Sequence, residues 1–260
     1  MIDLHAHILP GLDDGPKDLA GSLALARSAA DNGVEIVAAT PHLRTDHPLV
    51  LSSEIAERCS LVNRHLVEES AALRLVPAAE VDLLWAQSAS DESLREASYD
   101  QQGTDVLVET PYGRLTHGFE ESLLRFTSLG LRILLAHPER NEGFRRDRAR
   151  LAALVEHGVL LQITARSLTG ASRDTRAQAL ALWLVQRGIA HVIASDAHSA
   201  NGRRQHDLAA GVAAAARVAP RRARWMVTDA PAAILAGEDL PTPPASRRRR
   251  WWWRASSPVT

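Results

Sequence analysis

The chain begins MIDLHAHILPGLDDGP, residues 1–16. Its first residues read as a short strand. Ile2 and Leu4 are expected to point one way and Asp3, His5 and His7 the other, because side chains on a strand alternate with period two. His5 and His7 then emerge side by side where the strand ends. Two neutral imidazoles held in this way are good ligands for a divalent metal. Gly11 permits a turn, and Asp13 and Asp14 bring carboxylates a few residues later. A lone H-x-H pair is a weak signal, so its meaning depends on what the other strands supply.

Outward from this stretch, helix-like and strand-like segments alternate. Residues 17–32 carry Leu19, Leu23, Ala26 and Ala30 at helical spacing and stop at Asn32-Gly33. Mostly apolar strands are expected at 34–39, 73–81, 105–109, 131–136, 159–164 and 191–195, as in a buried parallel sheet. Helices are expected at 49–70, 91–97, 119–129, 146–156, 175–186, 205–218, 221–227 and 231–235. Right-handed crossovers turn such a string into a parallel sheet with helices outside. With the opening strand this makes seven strands in 260 residues. The expected fold is α/β, a distorted (β/α)7-type, TIM-like barrel in a single domain over residues 1–239. From residue 240 the composition changes: Pro241, Pro243 and Pro244 lead into four arginines at 247–250 and Trp251, Trp252 and Trp253. These residues read as a disordered tail, either a plain solvated end or a cationic, aromatic tag for an acidic surface, nucleic acid or membrane headgroups.

Composition narrows the function classes. A net charge of −1 gives the core no field that favours nucleic acid. A single cysteine, Cys59, rules out an intramolecular disulfide. No apolar run approaches the roughly 18 residues of a membrane span, and no signal peptide opens the chain, so a cytoplasmic enzyme is expected.

The polar residues carry the chemistry. His5, His7, His42, Glu80, Glu109, His137, Asp196 and His198 all lie at, or just after, the C-terminal end of an expected strand. In a parallel barrel those ends share one face, and that face hosts the active site. Histidines mixed with carboxylates suit Zn, Mn, Fe or Co, and the set is too rich for one ion, so two or three divalent ions are expected. Such a cluster makes hydroxide available near neutral pH and clamps a phosphoryl group. Arg140 and Arg203 are spaced to reach the same mouth, where a guanidinium fork can bind phosphate oxygens. His65, His157, His191 and His206 read mostly as surface or helix residues, while His47 and His117 follow strand-end loops and stay open. Cys59 lies in an expected helix and is followed at the C-x5-R spacing by His65 rather than arginine. It therefore reads as a packing residue, not a phosphatase nucleophile.

These residues form motifs: H-A-H at 5–7, G-L-D-D-G-P at 11–16, A-T-P-H at 39–42, E-V-D at 80–82, A-H-P-E-R at 136–140 and S-D-A-H at 195–198. Together they resemble the PHP (polymerase and histidinol phosphatase) superfamily, and within it the bacterial capsule-type, metal-dependent protein-tyrosine phosphatases. The resemblance spans about residues 1–237. It implies a distorted barrel with a trinuclear site, manganese foremost, held by His5, His7, Asp14, His42, Glu80, Glu109, His137, Asp196 and His198. It also implies that Arg140 and Arg203 hold the substrate phosphate, and that the substrate is phosphotyrosine on a bacterial tyrosine autokinase controlling capsule or exopolysaccharide assembly. Two departures stand out: Ala78 replaces the usual glycine two residues before Glu80, and Arg203 is doubled by Arg204. The expected reaction is attack of a metal-bound hydroxide in line with the tyrosyl oxygen. Histidinol phosphate, or a nucleic-acid end, is the alternative phosphoester, and a catalytically silent metal-binding barrel is the alternative from another class.

Overall fold

The computed structural model describes residues 1–115 and 118–244. Among them the chain forms nine strands: β1 Ile2–Ala6, β2 Ile36–Ala39, β3 His42–Leu43, β4 Arg74–Pro77, β5 Glu80–Val81, β6 Asp105–Glu109, β7 Arg132–Ala136, β8 Leu160–Thr164 and β9 Val192–Ala194. Neighbours pair in parallel, in the orders β1-β2-β4 and β3-β5-β6-β7-β8-β9.

The two groups form one wall. Ile36 pairs with Arg74 and His42 with Glu80, so β2–β3 and β4–β5 keep one register across the break between them. The break falls at Thr40-Pro41, where proline has no N–H to give the ladder. The bonds Ala78 N–H to Ala39 O and Glu80 N–H to Pro41 O carry the pairing through. Counted as staves, the barrel has the seven strands expected. It closes at its upper end, where Asp196 N–H donates to His5 O and His7 N–H to Ala197 O, both at 2.8 Å. At the lower end the closure is indirect: Ile2 N–H and Ile193 N–H donate to Val227 O and Met226 O, so a later segment wedges between β1 and β9.

Both faces of the strands are buried, which is why they read as unbroken apolar runs. Leu4, Ala38, Val76, Leu107, Leu134, Leu160 and Val192 fill the barrel, joined by Ile234 from the helix Asp229–Ala236. Tyr99, in a short turn between β5 and β6, also enters this interior and donates its hydroxyl to Leu4 O at 2.9 Å. The alternate residues, among them Val37, Leu75, Val106, Ile133, Leu161 and Ile193, pack outward against the helices.

β1 departs from simple alternation. Ile2 and Asp3 pair with Ile36 and Val37, but Ala6 pairs with Ala39, so β1 carries one extra residue. Such a bulge re-aims the side chains beyond it. Leu4 faces the barrel interior and Ala6 the helical layer. Asp3 therefore does not share a face with His5, as strict alternation predicts. It turns instead toward His206, whose Nε2 lies 2.9 Å from Asp3 Oδ2.

The helices differ from expectation mainly where caps intervene. The segment 49–70 opens as the 3-10 turn Ser52–Glu54 before the helix Ile55–Glu68, leaving Leu49 83 % exposed. In place of one helix over 146–156 there are two over 142–156, Glu142–Arg146 and Arg148–Glu156, capped by the side chains of Asn141 and Asp147. Helices Leu83–Ser88 and Ala165–Thr169 are too short for periodicity to reveal. The segment 205–218 is helical only over Leu208–Ala216, because His206 is drawn down to Asp3. Leu240 packs half-buried against the core. The arginine and tryptophan run within 245–260 lies outside the described residues, as does His117.

Candidate metal centre

The barrel mouth gathers ligands from almost every stave. His5 and His7 come from the end of β1, His42 from β3, Glu80 from β5 and Glu109 from the last position of β6. His137 and Asp196 follow β7 and β9. Each holds a positive φ, 37° and 52°, a left-handed conformation rare outside glycine. Strain of this kind collects at functional sites.

The hydrogen bonds fix the tautomers at the centre. His5 Nδ1 lies 3.0 Å from Gln162 Oε1 and His7 Nδ1 lies 2.6 Å from Asp13 Oδ2. Both partners are acceptors, so both Nδ1 atoms donate. Against burial, the carboxylates around them, Glu80 and Asp196 at His5 and Asp13 and Glu80 at His7, raise both pKa values. In the neutral rings both Nε2 atoms carry lone pairs. Yet the two Nε2 atoms face each other at 3.2 Å. Glu80 Oε2 lies 3.3 Å from each, and Asp196 Oδ1 lies 3.5 and 3.6 Å away. With both rings neutral, four acceptors converge with no donor between them. Ligand bonds of about 2.0–2.2 Å place neighbouring ligand atoms roughly 3.0–3.5 Å apart, so this spacing suits a shared cation.

The donor set extends on both sides. Four groups have ligand atoms mutually within 4.8 Å: His7, Asp14, His42 and His198; His5, His7 and Asp196; His5, Glu80 and His137; and His42, Glu80 and Glu109. They comprise the nine residues carried over from the family motifs. His5, His7, His42 and Glu80 each fall in two groups, and of these Glu80, with two carboxylate oxygens, can bridge adjoining ions. His42 Nδ1 is buried without a hydrogen-bond partner, 3.1 Å from Glu80 Oε2. The chemistry of the set therefore fits divalent metal.

Electrostatics agree. Burial opposes ionisation of Glu80, but the imidazoles of His5 and His137 beside it hold its carboxyl well below the usual range. Burial, followed by the charge of Glu80, pushes Glu109 up to about 8 against the pull of Arg44, 3.2 Å away. Burial and the neighbouring His7 push His198 down to about 4. Two close carboxylates and a cluster of lone-pair imidazoles ask for positive charge.

Arginines border the centre. Arg140 Nη1 lies 2.6 Å from Asp196 Oδ2. Arg204 touches both Asp14 and His198. Arg203 stands on the wall of the adjoining cavity, so the contact with the centre belongs to its neighbour in the doubled pair. The cavity measures about 1060 Å³ and has Tyr112, 71 % exposed, at its rim.

Several residues that organise the site are not signalled by strand-end position. Asp13 and Gln162 orient His7 and His5. Gln162 left one trace, a polar residue within an apolar strand. Asp3 accepts from His5 N–H and Ser195 N–H, and its partner His206 is buried rather than on the surface as the sequence suggested. The ring of His47 stacks on His42 with centroids 5.5 Å apart. His65 is helical and half-buried, His157 is exposed at the C-cap of Arg148–Glu156, and His191 is half-buried before β9.

The chain matches the family model for capsular polysaccharide synthesis, CpsB/CapC, over residues 1–236. It belongs to that family. Among CpsB/CapC relatives, tyrosine-protein phosphatase YwqE of Bacillus subtilis (strain 168) is 32% identical over 206 residues, covering 79% of this chain and 80% of that protein. Tyrosine-protein phosphatase CpsB of Streptococcus pneumoniae is 25% identical over 244 residues, covering 90% and 98%. One chain from the crystal structures of YwqE from Bacillus subtilis and CpsB from Streptococcus pneumoniae, described as unique metal-dependent tyrosine phosphatases, superposes with a TM-score of 0.80. That match has 28% identity and covers 96% of this chain and 100% of the other. The family is the PHP-type capsule-phosphatase branch that the H-A-H, H-P-E-R and S-D-A-H motifs resemble.

Proposed function

We infer that this chain is a metal-dependent protein-tyrosine phosphatase. It takes two or three divalent ions, manganese foremost, on His5, His7, Asp14, His42, Glu80, Glu109, His137, Asp196 and His198. Its substrate is phosphotyrosine on a bacterial tyrosine autokinase that governs capsule or exopolysaccharide assembly, and it acts in the cytoplasm. The observation that carries this reading is the opposed pair of imidazole lone pairs at 3.2 Å, ringed by carboxylates, in a CpsB/CapC chain. Among the described residues no helix is long and apolar enough to cross a membrane.

When bound, divalent ions make water acidic enough to ionise near neutral pH and neutralise phosphoryl oxygens. The chain's own groups do the rest. Arg140, anchored on Asp196, turns its planar fork toward the phosphate oxygens, and Arg204 does so from the Asp14 side. Both guanidiniums stabilise the charge that accumulates on those oxygens in the transition state. Tyr112 offers its exposed ring to the tyrosyl group at the rim. A thiol nucleophile plays no part: Cys59 is buried in the helix Ile55–Glu68, and burial pushes its pKa up to about 12.

The test is hydrolysis of a phosphotyrosine peptide beside histidinol phosphate, by chelator-stripped protein resupplied with Mn, Zn, Co or Fe one at a time. Metal-dependent release from the peptide, with little from histidinol phosphate, is the expected result. Preference for histidinol phosphate would move the activity to another phosphoester, and turnover indifferent to chelator would refute the metal mechanism.

A further inference from the structure

The cavity that opens onto the metal centre is larger and more basic than one phosphate requires. Its walls carry five arginines, Arg140, Arg166, Arg173, Arg203 and Arg204, against two aspartates, Asp174 and Asp196. Both aspartates are committed. Asp196 is paired with Arg140, and Asp174 with Arg145 at 2.5 Å. Asp174 also accepts the N–H groups of Arg176 and Ala177 as cap of the helix Thr175–Arg187. Arg140 and Arg204 belong to the centre and Arg203 adjoins Arg204 in the chain, which leaves Arg166 and Arg173 on the segment after β8.

These two are held in place by local structure. Arg166 lies on the helix Ala165–Thr169 that directly follows β8, and its Nη2 donates to Ala171 O at 3.0 Å. That bond ties the guanidinium to the loop on which Arg173 stands, with φ at 60°. Asp207 feels the charge of Arg166 but is not part of the cavity wall. Placing like charges on one concave wall is unfavourable unless an anion joins them. The volume, about 1060 Å³, stands at the top of the roughly 300–1,000 Å³ that accommodates a drug-sized ligand. A phosphotyrosyl side chain leaves room for part of the peptide beside it.

We propose that Arg166 and Arg173 form a second anion subsite, which holds the carboxylate of an acidic residue flanking phosphotyrosine in the substrate. This inference rests on the phosphatase reading above and names the class of peptide that the site prefers. Arginine suits the role because its fork matches a carboxylate and stays charged at every working pH.

The experiment compares kcat/KM of the metal-loaded protein on two peptides. Both contain phosphotyrosine, flanked in one by alanines and in the other by Asp or Glu on either side. The expected preference for the acidic peptide is about tenfold or more, given two charge-assisted contacts, and it should shrink as salt is raised. In the double variant R166Q/R173Q that ratio should fall to within about twofold, with the fold checked by circular dichroism. A second variant, Arg173→Glu, should invert the preference toward a lysine-flanked peptide. Equal use of both peptides by the unmodified protein would overturn the subsite, as would a preference that survives the double variant. Failure to hydrolyse either peptide would instead refute the phosphatase reading, and the subsite with it.

Discussion

Replacing Asp13 with asparagine tests the tautomer argument with a change of one atom. Asp13 Oδ2 lies 2.6 Å from His7 Nδ1 and accepts His42 N–H at 3.0 Å, while Oδ1 accepts Gly15 N–H at 3.0 Å. Burial opposes its ionisation, yet His7 and these N–H groups hold its carboxyl below the usual range. Asparagine keeps one acceptor oxygen and no charge. If that oxygen takes the Oδ1 place, it keeps Gly15 N–H, but His42 N–H loses its acceptor and the amide faces His7 Nδ1, forcing the proton to Nε2 and closing a ligand atom. If it takes the Oδ2 place, it keeps His7 and His42, Gly15 N–H loses its acceptor, and His7 loses the carboxylate that raises its basicity. Loss of such a partner to a metal-binding histidine typically costs about 10–100-fold in metal affinity or activity, which is roughly 1.4–2.7 kcal/mol. Titration of the stripped variant with Mn²⁺, by calorimetry and by recovered turnover, measures it directly. An Asp13→Asn protein that binds metal and turns over phosphotyrosine like the parent would refute the need for a carboxylate on His7 Nδ1, and the same result with Asp13→Ala would refute the assignment of Nε2 as ligand atom, and with it the convergence of lone pairs.

Other expectations follow from single features. Chelation should lower the thermal midpoint and metal should restore it, because a ligand at 1,000 times its Kd stabilises by about 4 kcal/mol; a midpoint indifferent to chelator would contradict the centre. Cys59→Ser should keep its turnover, and the thiol should resist iodoacetamide until denaturant is added; a large loss of activity would overturn the reading of Cys59 as packing. Gly211→Ala should destabilise by roughly 1–3 kcal/mol, since a Cβ there meets Ala165 Cα and Cβ at 2.5 Å; an unchanged urea midpoint would show that the two helices can part. His191 accepts Leu161 N–H at Nδ1, and burial, with the charges of Arg222 and Arg132, pushes its pKa down to about 4. Unfolded histidine titrates near about 6.5, so the unfolded chain takes up the proton first. This contribution is present above about pH 6.5 and is lost as pH falls toward 4, amounting to about 1–3 kcal/mol for a half-buried ring. His191→Asn should flatten the slope of stability against pH in that window, and an unaltered slope would count against it.

Much of the fold was legible because parallel strands buried on both faces leave long apolar runs, and because chemistry gathers where those runs end. His42, Glu80, Glu109 and His137 could be picked out by position alone, and the backbone then brings them to one mouth. The bulge in β1 was not legible. Nothing in Ile2-Asp3-Leu4-His5 reports an extra residue, which depends on how the strand meets β2 and β9. The pairs that orient the ligands were hidden for a related reason. Asp3 and His206 are 203 residues apart, and His5 and Gln162 are 157 apart. Tyr99 carries no signal of its own in the sequence; it fills the barrel where β4 and β6 do not pair.

Among the strands of the described residues, β1 leaves the ribosome first and β9 last. The seam that joins them, Asp196 N–H to His5 O and His7 N–H to Ala197 O, runs through the metal centre itself. At a synthesis rate of about 5–20 residues per second, roughly 10–40 s pass between the emergence of His5 and that of His198. Throughout that interval the nascent chain holds two imidazoles without Asp196, the carboxylate that completes their group. Metal is therefore expected to enter a finished barrel rather than to guide its assembly, and a chain truncated before Asp196 keeps most of the ligands but has no means of closing the ring around them.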